Sequence, residues 1–116
     1  SVPAVIEASD SELRMATVNV MQNAFHAMKD GGVLEISVIA SNEVISVSFK
    51  DSGCGISAEH LHHIFEPFFS KSSDADGTGL GLVITKNVIE KFGGEISVES
   101  TVGAGTTFTF LFRKQH

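Results

Sequence analysis

Residues Phe65 to Leu82 read F-E-P-F-F-S-K-S-S-D-A-D-G-T-G-L-G-L, and the rest of the chain is organised around them. The stretch opens on an aromatic knuckle of Phe65, Phe68 and Phe69, stiffened by Pro67. A polar run, Ser70 to Asp76, follows; it has too little apolar area to pack and predicts a mobile surface segment. Alternating glycines, Gly77, Gly79 and Gly81, close it and permit close backbone approach. Apolar residues at helical spacing come next. A helix starting there presents unpaired amides, which favour anions. The local reading is an anchored lid leading into a phosphate cradle.

Working outward toward the C-terminus, Leu82, Val83, Val88, Ile89 and Phe92 predict a helix over Leu80 to Phe92, closed by Gly93-Gly94. Ile96 and Val98 alternate in a strand. Val102 to Gly105 turns the chain, and Phe108, Phe110 and Phe112 line one face of a last strand. Toward the N-terminus, Ser57 caps a short helix reaching Ile64. Asp51-Ser52-Gly53-Cys54-Gly55 ends a strand in which Ile45, Val47 and Phe49 alternate. Ser41-Asn42-Glu43 links it to a second alternating run, Leu34, Ile36 and Val38, expected to bury one face. Before that, Asp30-Gly31-Gly32 stops a long helix with an apolar stripe of Leu13, Thr17, Val20, Met21, Ala24 and Met28, capped by Asp10 or Ser11. Val2 to Ala8 is a possible edge strand, and Pro3 suits an edge. The pattern is α+β: a two-layer sandwich, with helices segregated on a mainly antiparallel sheet.

The chain has 116 residues, enough for one domain with a core and too few for two. A net charge of −6 argues against nucleic acid or an anionic membrane as its main partner. A phosphate ligand on such a chain needs local donors and a metal. The single cysteine, Cys54, excludes an internal disulfide, fits a reducing compartment and reads as a small filler. No apolar run approaches the ~20 residues that span a bilayer. The opening S-V-P-A-V-I-E-A reads as the middle of something, so the expectation is one domain, residues 1–116, of a longer protein.

Asn19 and Asn23, four apart, share one face of the first long helix. Their amide oxygens suit a hard cation such as magnesium. Two solvated or backbone-bonding asparagines would look the same. Asp51 shares the parity of Ile45, Val47 and Phe49, so its carboxylate faces the buried side and needs donors. An exocyclic amine on a flat ring would supply one, with Gly53 and Gly55 leaving it room; a simple Asx-turn fits as well. His26 follows Asn23 by three and points to the same groove. His60, His62 and His63 suggest a metal cluster, but H-x-H-H on a short polar helix reads better as a solvated face. The Gly77–Gly81 run lacks the last spacing of a dinucleotide fingerprint, and no P-loop lysine follows it.

Each motif is weak alone; their order is not. N-V-M-Q-N-A at 19–24, D-S-G-C-G-I at 51–56, F-E-P-F-F at 65–69, G-T-G-L-G-L at 77–82 and G-A-G-T-T-F-T-F at 103–110 resemble the five boxes of sensor histidine kinase ATP-binding domains, members of the GHKL superfamily. The resemblance covers nearly the whole chain. It implies a Bergerat-type sandwich with a mixed, mainly antiparallel sheet of about five strands on three helices. It implies ATP and Mg2+ as ligands. Asn23 is then the magnesium ligand and catalytic residue, with Asn19 on phosphate or metal-bound water. Asp51 accepts the adenine amino group, Gly53 and Gly55 let the base lie close, and Thr106 acts near the adenine. Gly77, Gly79, Leu80 and Gly81 form the lid hinge whose amides hold phosphate. Ile56, Phe65, Thr78 and Leu82 belong to the same boxes, and His26 and Lys71 complete the set.

The chain departs from the common pattern at His26, where many relatives carry a basic residue, and at Lys71, one position earlier than usual. No phosphoacceptor box is present, so the substrate histidine is expected on an upstream helical hairpin. The implied partners are that hairpin and a response-regulator receiver domain. The implied setting is the cytoplasm, in a parent open to membrane anchoring, homodimeric as a whole while this domain alone is monomeric. An anti-sigma-type serine kinase or another GHKL ATPase is the alternative on the same fold, and a degenerate module that only scaffolds is a further rival.

Overall fold

The computed structural model describes residues 10–66 and 81–113. Helix α1 (Asp10–Ala27) is followed by strands β1 (Leu34–Ala40) and β2 (Val44–Asp51), the short helix α2 (Ala58–Leu61), helix α3 (Gly81–Lys91) and strands β3 (Glu95–Thr101) and β4 (Gly105–Arg113). The four strands form one antiparallel sheet in the order β1-β2-β4-β3. Helix α1 packs beside α3 and over β2, while α3 covers β3. The expected two-layer α+β architecture is present. The expected edge strand at Val2–Ala8 lies outside the described residues, as do Pro67, Phe68, Phe69, the polar run with Lys71, and the expected hinge residues Gly77, Thr78, Gly79 and Leu80.

The core follows from the two periodicities. Ala16, Val20 and Ala24 recur every fourth residue on α1 and are buried; the apolar stripe read from the sequence omits Ala16. Ala16 and Val20 share one core cluster with Val88 and Ile89 of α3 and the inward row Phe108, Phe110 and Phe112 of β4. Phe110 tilts against Phe49 of β2, ring centroids 5.1 Å apart, a favoured aromatic geometry. Thr17, within the stripe, donates its hydroxyl to the Leu13 carbonyl at 3.0 Å, so no polar group is stranded there.

Strand β1 does not bury a face as its alternation predicts. Leu34 is half-buried, but Val38 is 64% exposed and Ile39 67%. The register sets Ile36 opposite Phe49 and Val38 opposite Val47, so Ile36 and Val38 do lie on the helix-facing side. The described helices cover β2 and β3 and stop short of this edge. A period of two shows which side chains share a face; it carries nothing about whether a second layer reaches that far.

The turns match their sequences. Ser41 Oγ accepts the amides of Glu43 and Val44 at the β1–β2 hairpin. Ser57 Oγ caps α2 by accepting the His60 amide at 3.3 Å. At the end of α3, Gly93 and Gly94 donate to the Glu90 and Ile89 carbonyls.

Candidate functional site

Strand β2 delivers Asp51 at its last position, and the inward parity holds: the residue is 4% exposed. Its Oδ1 accepts the Gly53 amide at 2.8 Å and the Thr106 amide at 3.2 Å. The first bond is the Asx-turn suggested by D-x-G; the second ties the carboxylate to β4. Among the described residues both bonds fall on Oδ1, so Oδ2 is the oxygen available as an acceptor.

The loop after Asp51 docks on the last turn of α1. Cys54 donates its amide to the Ala27 carbonyl at 3.1 Å, satisfying one of the carbonyls a helix leaves unpaired at its C-terminus. A Cβ on Gly53 would lie 2.6 Å from that same oxygen. Gly55 has a φ of 78°, and a Cβ there would collide with the Thr101 carbonyl. Gly105 has a φ of 126°, and its Cβ would collide with the Asp51 carbonyl. The space these glycines leave is taken up by the protein's own backbone. Cys54 is exposed rather than a filler: its amide and carbonyl bridge Ala27 and Gly103, and the side chain is left outside.

Asn23 stands one turn before Ala27 on α1, so the docked loop brings Asp51 to the end of the helix that carries both asparagines. Each asparagine is half-buried. Asn23 Nδ2 donates to the Asn19 carbonyl at 3.1 Å. Asn19 Nδ2 donates to the Gly81 carbonyl at 3.2 Å and to Thr85 Oγ1 at 3.3 Å. These bonds engage the amide nitrogens. A Cβ on Gly81 would lie 3.9 Å from Asn19 Oδ1, so the side chain rests on the first turn of α3. Leu82, next on that turn, packs against the core.

Three residues that carry no mark in the sequence motifs hold this arrangement. Ser100 Oγ accepts the Ile56 amide at 2.7 Å, donates to the Gly105 carbonyl at 3.0 Å and sits 2.8 Å from Thr106 Oγ1. A signal for it exists: a serine at the inward parity of Ile96 and Val98 asks for partners. Thr85, fully buried in α3, bonds back to Gly81. Ala27 contributes its carbonyl, and its Cβ too lies close against Gly53; nothing in its sequence position marks that.

Other candidates stand apart. His26 is exposed in the last turn of α1. Phe65 is half-buried against the core, with the Lys86 ammonium 5.5 Å from its ring centroid. His63 Nδ1 lies 2.7 Å from Glu66 Oε2 at the surface. Among the described residues no group of three or more His, Cys, Asp or Glu is placed to hold a metal. A hollow of about 190 Å3 at this end of the sheet is lined by Asp51 and Thr106 together with Lys50 and Glu99. Lys50 and Glu99 both flank Thr107 in register, which places them on the outer face, away from Asn19 and Asn23.

The model of the histidine kinase-, DNA gyrase B- and HSP90-like ATPases matches residues 8–116. Sensor histidine kinase ZraS of Klebsiella oxytoca is 42% identical over 106 residues, which are 90% of this chain and 22% of that protein. Sporulation kinase D of Bacillus subtilis is 38% identical over 107 residues, 92% of this chain and 21% of that one. The chain thus spans about a fifth of the length of these curated relatives. Among solved structures, the catalytic domain of histidine kinase ThkA superposes with a TM-score of 0.80 at 34% identity, over 94% of this chain and 71% of that one. The mycobacterial sensor histidine kinase MprB gives 0.81 at 28% identity, over 93% and 74%. The chain belongs to the histidine kinase-, DNA gyrase B- and HSP90-like ATPase family, on its sensor histidine kinase branch.

Proposed function

We propose that the chain is the ATP-binding catalytic domain of a two-component sensor kinase, which transfers the γ-phosphoryl group to a histidine on a separate helical hairpin. The observation that carries this reading is the docking of the 51–55 loop on α1, which joins the Asp51 carboxylate to the helix bearing Asn19 and Asn23. A purine amine needs an acceptor that is itself held rigid. Asp51 offers Oδ2, with Oδ1 pinned by two backbone amides. Thr106, fixed by Ser100, stands beside it.

The donor set fits magnesium: Asn23 and Asn19 have their amide nitrogens engaged, which leaves amide oxygens, the ligand type that ion prefers. Asn23 would hold the ion, with Asn19 beside it on phosphate or bound water; when bound, the ion neutralises phosphate charge. The amides in the first turn of α3 would orient the phosphate chain, alongside the Gly77–Leu80 hinge. No base for the attacking imidazole is assigned within the chain; the residues here bind, orient and hold the nucleotide in line. The phosphohistidine would then pass its group to a response-regulator receiver domain.

Calorimetric titration of the 116-residue chain with ATP, with and without magnesium, tests the reading. Magnesium-dependent binding supports it. A chain that binds neither ATP nor Mg-ATP would be a scaffold only.

A further inference from the structure

Between α1 and α3 lies a closed triangle of polar groups. Thr85 Oγ1 is 2.8 Å from the Gly81 carbonyl, Asn19 Nδ2 is 3.2 Å from that carbonyl, and Asn19 Nδ2 is 3.3 Å from Thr85 Oγ1. Thr85 is fully buried, in the middle of α3. We propose that Thr85 is a positioning residue for the nucleotide site: its hydroxyl, together with the Gly81 carbonyl it bonds, holds the NH2 end of the Asn19 amide inward and leaves the oxygen end to face the ligand. The inference rests on the reading of Asn19 as a contact to phosphate or metal-bound water.

Proton bookkeeping carries it. A threonine hydroxyl has one hydrogen. Here that hydrogen goes to the Gly81 carbonyl, so toward Asn19 the oxygen can only accept. The Gly81 carbonyl can only accept as well. Two acceptors therefore face one end of the Asn19 side chain, and only the NH2 end satisfies both. A flipped amide would set its oxygen against two oxygens. The network thus leaves Oδ1 as the end open to a ligand, where an amide donor would repel a cation. Thr85 does this without touching the ligand, and it also ties down the carbonyl at the very start of α3, the turn whose amides serve phosphate in the proposed function. A plain i to i−4 hydroxyl bond within one helix would not reach across to α1. This one does.

The test compares the wild-type chain with Thr85→Val, which keeps the shape and removes the hydroxyl, and Thr85→Ser, which keeps the hydroxyl. Mg-ATP affinity is read by calorimetry and the Asn19 side-chain NH2 signals by 15N NMR. The expected result is an affinity about threefold to tenfold weaker in Thr85→Val, with its Asn19 signals displaced, and near-wild-type values on both counts in Thr85→Ser. If Thr85→Val loses its cooperative melt, Thr85→Ala serves as the hydroxyl-free variant. Wild-type affinity in a folded hydroxyl-free variant, or unmoved Asn19 signals, would overturn the inference and leave the nucleotide site standing. Failure of Thr85→Ser to restore affinity would also overturn it. A wild-type chain that binds no Mg-ATP removes the site and this inference together.

Discussion

Asp51 and Thr106 are joined twice: as register partners across β2 and β4, and through the Thr106 amide donating to Asp51 Oδ1 at 3.2 Å. The carboxylate is therefore part of the sheet's own bonding as well as a candidate ligand contact. That dual use makes one substitution informative. Asn at position 51 retains an Oδ1 acceptor for Gly53 and Thr106 and replaces only Oδ2 with a donor. Asp51→Asn is expected to stay folded and to lose roughly 1–3 kcal/mol of nucleotide affinity, from one unpaired buried group. Unchanged binding in calorimetry would remove Asp51 from the adenine site. Asp51→Ala, by contrast, orphans two amides and is expected to lower the melting temperature as well.

Asn23 is half-buried, and its side chain's bond between described residues runs to the Asn19 carbonyl in its own helix. Alanine is the better helix former, so Asn23→Ala is expected to change stability by no more than about 1 kcal/mol. Under the proposed function, phosphoryl transfer in a sensor kinase that carries this chain as its catalytic domain should be abolished all the same, and by Asn23→Asp too. Near-normal autophosphorylation of either variant would refute the metal assignment.

The glycines separate into two groups. Gly55→Ala combines a φ of 78° with a collision against the Thr101 carbonyl and is expected to destabilise the chain by at least about 2 kcal/mol. Gly103 has a φ of 85°, but a Cβ added there would meet nothing within 4 Å, so Gly103→Ala should cost only about 1–2 kcal/mol. Thermal melts of the two variants check the order; equal shifts would mean that backbone crowding at Thr101 adds nothing.

Burial predicts a sharp contrast within one sheet face. Phe110, 3% exposed and tilted against Phe49, is expected to cost about 3–5 kcal/mol as Phe110→Ala. Val38, on the same face but 64% exposed, should tolerate Val38→Thr within about 0.5 kcal/mol. A large loss at Val38 in urea unfolding would show that a further layer covers β1.

Much of this protein is legible in its residues. Period-two runs mark β1 to β4, and Asp51 keeps its inward parity because a strand's alternation is local geometry. Ser57 announces α2, and the order of five boxes identifies the family. The sequence does not say that β1 outruns the described helices, since coverage depends on where another layer ends. Nor does it reveal why Gly53 and Gly55 are bare: they make way for the Ala27 and Thr101 carbonyls, contacts across 26 and 46 residues of chain. Thr85 stays hidden for the same reason, while Ser100 shows in the sequence only an inward parity, not which partners it finds. Local pattern determines which side of an element a residue faces; only the packing of distant elements decides what it meets there, because a hydrogen bond is settled by position in space and not by separation along the chain.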